Sequence, residues 1–477
     1  MSIELIGFIT LFVGAVGLFQ NSAFLVYSFF STTLLGSAAA FILTSLGSTN
    51  ISPAHLLLGF LSIKLLSDRA TLKSSVSSLQ TGSAGFWLLL IVVYSALTAY
   101  FLPRLFLGET FIYPVRVVGS NAYTELLAPS TANLTQSVYL IGDFVCFFIL
   151  SGYARQPGSL RVLTNVVLVT TILNFVFAFL DLVTYATGTT DLLSIIRNAN
   201  YALLSDAEIV GFKRIVGSFI EASSFGAATL MYFAYTIKLW LLGVRPLLTG
   251  MLSAVALVAL VFSTSTTAYV GLTLFLCVCV VEAAAYAFFA RATKQMKMLI
   301  VWTPIVLVVL GLAVALNDTA ATFASNMIDT IVFNKMNTVS GYERSAWNAQ
   351  ALQVFLDTFG FGAGNGSLRA STFPLAVLGS LGIVGFVLFG LFFVSVFRPT
   401  PQDPNWGIIE LTGRRAARAA CLASLISATI SGALTDLGLP FFAFAAIACA
   451  GRRAVSVQQA PAGGMARNTD FKIASEL

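Results

Sequence analysis

The stretch Thr372–Phe397, TFPLAVLGSLGIVGFVLFGLFFVSVF, contains no charged residue. An apolar run of this length can cross the hydrocarbon core of a membrane as one helix, since a crossing takes about 20 residues. Leu, Val and Phe dominate the run, and its few Gly and Ser residues are tolerated in helices that pack in a membrane. The stretch therefore predicts a transmembrane helix, and similar runs recur on both sides of it.

The composition of the whole chain agrees with this interpretation. Hydrophobic residues make up 57% of the 477 residues and charged residues only 10%, whereas about a quarter of a soluble domain is charged. We predict an all-α, polytopic membrane helix bundle of about 12 to 13 transmembrane helices, formed by residues 1–454 as one domain. The candidate spans are 4–19, 22–46, 52–67, 84–105, 135–154, 160–186, 217–241, 246–263, 267–290, 298–316, 372–397, 415–432 and 434–450.

The connections between these spans differ in their content of Lys and Arg. Sixteen such residues lie in alternate connections and eight in the opposite ones, and the richer side is expected to face the cytoplasm. This places three longer polar loops on the outer face, near 106–133, 187–216 and 318–371.

Two further features carry no functional signal. Residues 455–477 lack hydrophobic periodicity and are predicted to form a disordered cytoplasmic tail. The cysteines lie in apolar runs without metal-like spacing, so we predict inert packing residues. They are Cys146, Cys277, Cys279, Cys421 and Cys449. The sequence also lacks an evident ligand cluster of the His, Asp and Glu type, so we predict no metal site and no other cofactor.

A first polar constellation stands where an outer loop enters a span. Lys213 and Arg214 precede Glu221 by a few residues, and Gly226 follows. If the helix begins near Ser218, Glu221 lies in its first turn, where the helix dipole favours a negative charge. Cations that extend to the membrane surface are the simpler explanation, but a carboxylate within a span is a functional candidate by default.

A second constellation lies in the 318–371 loop. Residues 342–357 show helical spacing of apolar positions, with Arg344 at the start of the predicted helix. Gly360, Gly362, Gly364 and Gly366 follow, and Arg369 comes after them. Most Gly-rich loops are merely turns, but backbone amides flanked by arginines can also hold phosphate.

In these two regions the chain resembles the O-antigen polymerase and ligase superfamily, which includes exopolysaccharide polymerases. The resemblance covers most of the chain: many spans, a mid-chain Arg-x-x-Gly-x-Phe motif, a large late outer loop and a Leu/Gly-rich helix after it. The matching residues are Arg214, Gly217 and Phe219 in the first motif, Arg344, Trp347, Gly362 and Gly364 in the loop, and Leu378 to Gly385 in the helix.

The resemblance implies a GT-C-like glycosyltransferase in the bacterial inner membrane, with its active site facing the periplasm. Its donor would be an undecaprenyl-diphosphate-linked oligosaccharide, and membrane lipid and a polysaccharide chain-length regulator would be its partners, with no nucleic acid. Arginines would neutralise the diphosphate and a carboxylate would accept the proton of the acceptor hydroxyl. The predicted catalytic residues are Glu221, Arg214 and Arg344, and the predicted substrate-binding residues are Lys213, Arg344, Trp347, Gly362, Gly364 and Arg369.

The superfamily leaves more than one activity open. Its O-antigen ligases typically carry a functional His in the large outer loop, whereas the one histidine here is His55, at the start of an early span. The Glu221 to Gly226 run is similar to the Glu-Pro-Ser sequence of many exopolysaccharide polymerases, with Ala222 in place of proline. We therefore predict a polymerase first and a ligase second, and a transporter of lipid-linked saccharide is less favoured. His55 is interpreted as a membrane-interface residue.

Overall fold

Helices account for 72% of the computed structural model. The structure describes residues 2–43, 49–115, 123–199, 208–209, 212–318, 321–322, 325, 339–399 and 406–451. Its first helices are α1 (Leu5–Phe19), α2 (Ser22–Thr32), α3 (Pro53–Leu66), α4 (Arg69–Ser77), α5 (Ala84–Leu105), α6 (Thr131–Ala154) and α7 (Ser159–Thr187). They are followed by α8 (Ala222–Leu241), α9 (Pro246–Phe262), α10 (Thr266–Phe288), α11 (Lys294–Ala315), α12 (Val339–Asp357), α13 (Phe373–Phe397), α14 (Ile408–Ser431) and α15 (Leu439–Ala448).

Short antiparallel strands lie between the helices. One sheet has the order β1-β2-β3, and β4-β5 and β6-β7 form two separate pairs. A 3₁₀ turn at Thr190–Leu193 follows α7. The strands are β1 (Ser2–Ile3), β2 (Phe41–Leu43), β3 (Thr49–Ile51), β4 (Phe111–Ile112), β5 (Glu125–Leu126), β6 (Glu208–Ile209) and β7 (Phe212–Lys213).

Six of the described helices are long and apolar enough to cross a membrane. Large apolar side chains on the outside of the bundle remain exposed, such as Phe12 at 71% and Phe179 at 66%. Such a surface suits a hydrocarbon environment rather than water. The chain is therefore a multi-pass, all-α membrane protein. The six helices are Ala84–Leu105, Thr131–Ala154, Ser159–Thr187, Thr266–Phe288, Lys294–Ala313 and Phe373–Phe397.

Several predicted spans are shorter in the structure than in the sequence interpretation. The apolar run 22–46 is divided, since α2 ends at Thr32 and the chain then enters strand β2. The run 434–450 contains only the ten residues of α15, which rise about 15 Å. Length of an apolar run does not distinguish a crossing helix from a buried, broken one. The predicted tail 455–477 lies outside the described residues.

The core is rich in phenylalanine and holds the short helix α15 inside the bundle. Phe441, Phe442 and Phe444 of α15 are fully buried. The Phe392 ring of α13 lies 6.0 Å from the Phe442 ring, and the Phe147 ring of α6 lies 6.1 Å from that of Phe392. This packing fixes α15 against α6, α13 and α14, so that its first residue lies inside the bundle.

Helices α8, α10 and α14 pack closely through small residues. A Cβ built on Gly226 of α8 would lie 3.0 Å from Ala268 Cβ of α10, and one on Gly271 would lie 2.7 Å from a methyl group of Leu230. Small residues let membrane helices approach in this way. We call the end where α8 and α10 begin and α14 ends the loop end, and the opposite end the basic end.

Candidate active site

Segment 214–221 leads from strand β7 into α8 at the loop end, and it carries Arg214 and Glu221. Gly217 makes the turn in this segment with φ of +61°, a conformation that glycine adopts without a steric penalty. A buried hydroxyl also fixes the course of the segment, since Ser218 Oγ donates to the backbone carbonyl of Leu34 over 2.7 Å. Both candidate residues are therefore attached to a firmly held turn.

A buried carboxylate on α7, Asp181, anchors this turn. Its oxygens accept hydrogen bonds from Arg197 at 2.6 Å and from Lys213 at 3.4 Å. The backbone amides of Val216 and Gly217 donate to the same carboxylate at 2.8 and 3.0 Å. Because Asp181 holds the ammonium group of Lys213, we assign Lys213 to the support of the site, which differs from its predicted role in substrate binding.

Three arginines from separate segments meet in front of Glu221. Arg214 lies before α8, Arg344 lies in α12, and Arg369 lies in the loop between α12 and α13. Burial is the largest cause that lowers the pKa of Arg214 and of Arg369, and Arg344 lowers both further. The Glu221 carboxylate opposes these effects at both groups. Arg344 and Glu221 are thus each within range of the charge of Arg214 and of Arg369.

These three guanidinium groups are not neutralised by direct contacts. In the part of the chain that the structure describes, none of them lies within 4.0 Å of a carboxylate oxygen. The Nε groups of Arg214 and Arg369 are buried without a hydrogen-bond acceptor among the described residues. Partly buried guanidinium groups with free donors favour an anionic ligand, above all one with phosphate oxygens.

Trp347 joins this cluster through Arg369. The guanidinium carbon of Arg369 lies 3.9 Å above the Trp347 ring centre, a cation–π contact. The backbone amide of Arg369 donates to the Tyr113 carbonyl over 2.9 Å, and Asn348 accepts the amide of Ser371 over 2.8 Å. The loop after α12 is thereby held on the helix that carries Arg344.

Glu221 occupies the N-cap position of α8, since the helix begins at Ala222 rather than near Ser218 as predicted. The Ser223 hydroxyl donates a hydrogen bond to the Glu221 carboxylate. Below Glu221 a cavity of about 240 Å³ extends between α8 and α14. Its polar lining is formed by Glu221, Ser223, Ser224, Ser424, Ser427, Ser431 and Asp436.

Asp436, in the segment between α14 and α15, also lines this cavity. The charge of Asp436 acts on the Asp143 carboxyl group of α6 and on His55. His55 is half-buried, with its Nδ1 atom 2.8 Å from Ser52 Oγ, so it has an acidic neighbour that its sequence surroundings do not show. The spacing of the three serines on α14, three and four residues apart, is a signal that could have indicated this polar helix face.

The Gly-rich loop after α12 supports a break in α13. Gly382 has φ of +64° and ψ of −163° inside that helix, a conformation that interrupts helical hydrogen bonding. The amides of Ala363 and Gly364 donate to the freed carbonyls of Gly379 and Ser380, each over 2.8 Å. The Gly364 amide is therefore engaged within the protein and is not directed at a phosphate.

Gly362 is engaged in the same way. Its amide donates to Thr358 Oγ1 over 2.9 Å. A Cβ on Gly362 would lie 2.7 Å from the backbone of Gly382, and one on Gly364 would lie 2.6 Å from the Thr98 carbonyl. We assign Gly362 and Gly364 to close backbone packing rather than to the predicted contact with substrate.

This interpretation predicts a strong effect of Gly382→Ala. The backbone conformation of Gly382 is open essentially to glycine alone, and an added Cβ would lie 2.2 Å from the Gly360 carbonyl oxygen. We expect the free energy of unfolding to fall by about 3 kcal/mol, measured by thermal or denaturant unfolding of the purified protein. Gly390→Ala in the same helix is the control, because nothing lies within 4 Å of its added Cβ. Equal stability of both variants would contradict the assigned role.

Comparisons with protein-family models, curated proteins and solved structures found no match to this chain.

Proposed function

We propose that this chain is a polysaccharide polymerase of the O-antigen or exopolysaccharide type. It joins polyprenyl-diphosphate-linked oligosaccharide repeat units at the periplasmic face of the inner membrane, on a GT-C-like bundle of about 12 to 13 membrane helices. The sequence resemblance to the O-antigen polymerase and ligase superfamily suggested this function. The geometry of the loop end supplies independent support.

The observation that carries the proposal is the convergence of Arg214, Arg344 and Arg369 around Glu221. Although they come from three separate segments, Arg344 and Glu221 both act on Arg214 and on Arg369, and no direct ion pair occupies these arginines among the described residues. A diphosphate carries enough negative charge and enough acceptor oxygens for several guanidinium groups. A cluster of cations that repel one another is stabilised when such an anion binds.

The proposed reaction needs little covalent chemistry from the protein. A hydroxyl oxygen of the acceptor saccharide attacks the anomeric carbon of the donor, a new C–O glycosidic bond forms, and the bond from that carbon to the diphosphate oxygen breaks. The polyprenyl diphosphate leaves with the bonding electron pair, and the arginines stabilise its additional negative charge. Glu221 accepts the proton of the attacking hydroxyl.

The surroundings of Glu221 suit a saccharide acceptor. The cavity beside it is lined by serine hydroxyls of α8 and α14 and by Asp436, all of which form hydrogen bonds with sugar hydroxyl groups. The buried indole N–H of Trp347 has no hydrogen-bond acceptor among the described residues, so it is a donor available to a saccharide oxygen. In this proposal the three-arginine cluster binds the diphosphate, and the hydroxyl-lined cavity binds the sugars.

Separate replacement of Glu221 and of Glu343 tests which of these two carboxylates accepts the proton of the acceptor hydroxyl. Glu221→Gln keeps the shape of the side chain and removes its ability to accept a proton, so we expect polymer formation to fall by about 100-fold. Glu343→Gln is the matched control: Glu343 also acts on the pKa of Arg369 but does not line the cavity. The measurement is polymer length and the amount of single lipid-linked repeats, in a strain that lacks the gene and is complemented at matched membrane levels.

The outcomes of this experiment separate the candidate functions. Single lipid-linked repeats that accumulate in Glu221→Gln and not in Glu343→Gln support the polymerase and its site. Polymer of normal length that fails to reach its final acceptor would instead indicate a ligase. Repeats trapped on the cytoplasmic side would indicate a transporter and overturn the proposal.

A further inference from the structure

A second polar cavity of about 380 Å³ lies at the basic end of the bundle, between α8, α10, the end of α13 and α14. Lys238 and Glu221 are separated by 17 positions of α8, which is roughly 25 Å of helix. The cavity is therefore distinct from the candidate active site. Its charged lining is formed by Lys238, Glu282, Arg414, Arg415 and Arg418.

The charges of this basic cavity are not balanced. Lys238 forms an ion pair with Glu282. Glu282 is the one carboxylate among the residues that line this cavity, and Lys238 already neutralises it. Arg414 and Arg415 of α14 remain, and neither lies within 4.0 Å of a carboxylate oxygen in the described part of the chain. The cavity is therefore cationic.

Arg414 is the residue that most needs a ligand. Only 4% of its surface is exposed, and its Nε and Nη2 atoms have no hydrogen-bond partner among the described residues. Its guanidinium carbon lies 4.8 Å from the Trp406 ring centre, which orients the group but satisfies none of its donors. A buried guanidinium without acceptors is costly, and a bidentate oxyanion removes that cost.

The cavity also has an apolar flank that opens towards the membrane. Phe275, Val278 and Leu422 line it together with the arginines. Val278 is 41% exposed on the surface of the bundle, and Val281, one turn away on α10, is 69% exposed. A ligand in this position meets guanidinium groups at one end and a hydrocarbon-facing helix at the other.

We propose that this basic cavity is a binding site for a phosphate-bearing anion, with the phosphate of an anionic lipid headgroup against Arg414. Cationic pockets between membrane helices bind such headgroups. The phosphate oxygens accept hydrogen bonds from Arg414 and from the exposed Arg415 at the rim. The acyl chains lie along α10 beside Val278. Bound lipid would link α10, α13 and α14 at this end.

Native mass spectrometry of the purified protein tests this site. We expect the wild type to retain phosphatidylglycerol at least about tenfold more tightly than phosphatidylcholine, because only the former carries net negative charge. Arg414→Gln is expected to lose most of this preference, and Arg415→Gln part of it. Arg245→Gln is the matched control, since Arg245 is an exposed arginine at the same end that does not line the cavity.

The possible results are decisive. Equal retention of both lipids by the wild type would overturn the proposal. This comparison does not depend on whether any variant folds. A preference that persists in folded Arg414→Gln and in Arg415→Gln would also overturn it. If inorganic phosphate displaces phosphatidylglycerol from the wild type, the anion site stands and its ligand is a soluble phosphate; if lipid persists, the headgroup is the ligand.

Discussion

Arg344→Ala is expected to reduce polymer formation by about 1000-fold. Arg344 is the member of the cluster whose charge acts on both Arg214 and Arg369. In the proposed reaction the diphosphate gains negative charge as its bond to the anomeric carbon breaks, and the Arg344 guanidinium stabilises that charge together with the other two. The measurement is the amount of polymer against single lipid-linked repeats at matched membrane levels.

Two further variants make this result specific. Arg344→Lys keeps the charge but loses the planar fork that holds two phosphate oxygens, so we expect an intermediate loss. Arg104→Ala removes an exposed arginine at the loop end whose guanidinium bonds only to the Tyr100 carbonyl and stacks on that ring among the described contacts, and it should leave polymer unchanged. Normal polymer length in Arg344→Ala would show that the three-arginine cluster is not the diphosphate site.

Asp181→Asn is expected to produce the largest loss of stability. Asp181 has almost no exposed surface and accepts bonds from Arg197, Lys213 and two backbone amides. Asparagine keeps the size but leaves two buried cations without their carboxylate, and breaking a buried ion pair in this way costs about 3 to 5 kcal/mol. We expect a lower midpoint of thermal unfolding for the purified protein.

The control for this variant is Asp191→Asn. Asp191 is exposed in the turn that follows α7, so its replacement should change stability little. Because segment 214–221 is tied to Asp181, any folded Asp181→Asn protein should also lose polymer formation. Unchanged unfolding of Asp181→Asn would mean that the carboxylate does not hold this turn.

Much of the candidate site was predictable because its residues are unusual for their surroundings. A carboxylate such as Glu221 and arginines such as Arg214 and Arg344 stand out in a chain with 10% charged residues. The sequence also placed them in two regions far apart in the chain. Their proximity in space could only be proposed from the family resemblance before the structure placed Glu221 and Arg344 within range of the charge of Arg214.

The roles of the glycines and of Lys213 were not predictable from local pattern. The sequence pattern predicted that Gly362 and Gly364 belong to a phosphate-binding loop. In the structure the Gly362 amide donates to Thr358 Oγ1 and the Gly364 amide donates to the Ser380 carbonyl, next to the break at Gly382. The sequence predicted that Lys213 contacts substrate. In the structure its ammonium group donates a hydrogen bond to the carboxylate of Asp181, which lies 32 positions earlier in the chain. A backbone amide or an ammonium group binds whichever acceptor the fold brings near, and sequence spacing does not show that acceptor.

The sequence by itself determined that this protein is an all-α, multi-pass membrane protein in which only 10% of the residues are charged. Hydropathy decides this class because an apolar run must avoid water and a charge must avoid lipid. Only the tertiary structure decided which apolar runs form long unbroken helices, which cations Asp181 neutralises, and that Asp436 lines the cavity beside Glu221. Those outcomes depend on contacts between residues far apart in the chain, such as the packing of α15 against α6 and α13, and a one-dimensional pattern of residues does not contain them.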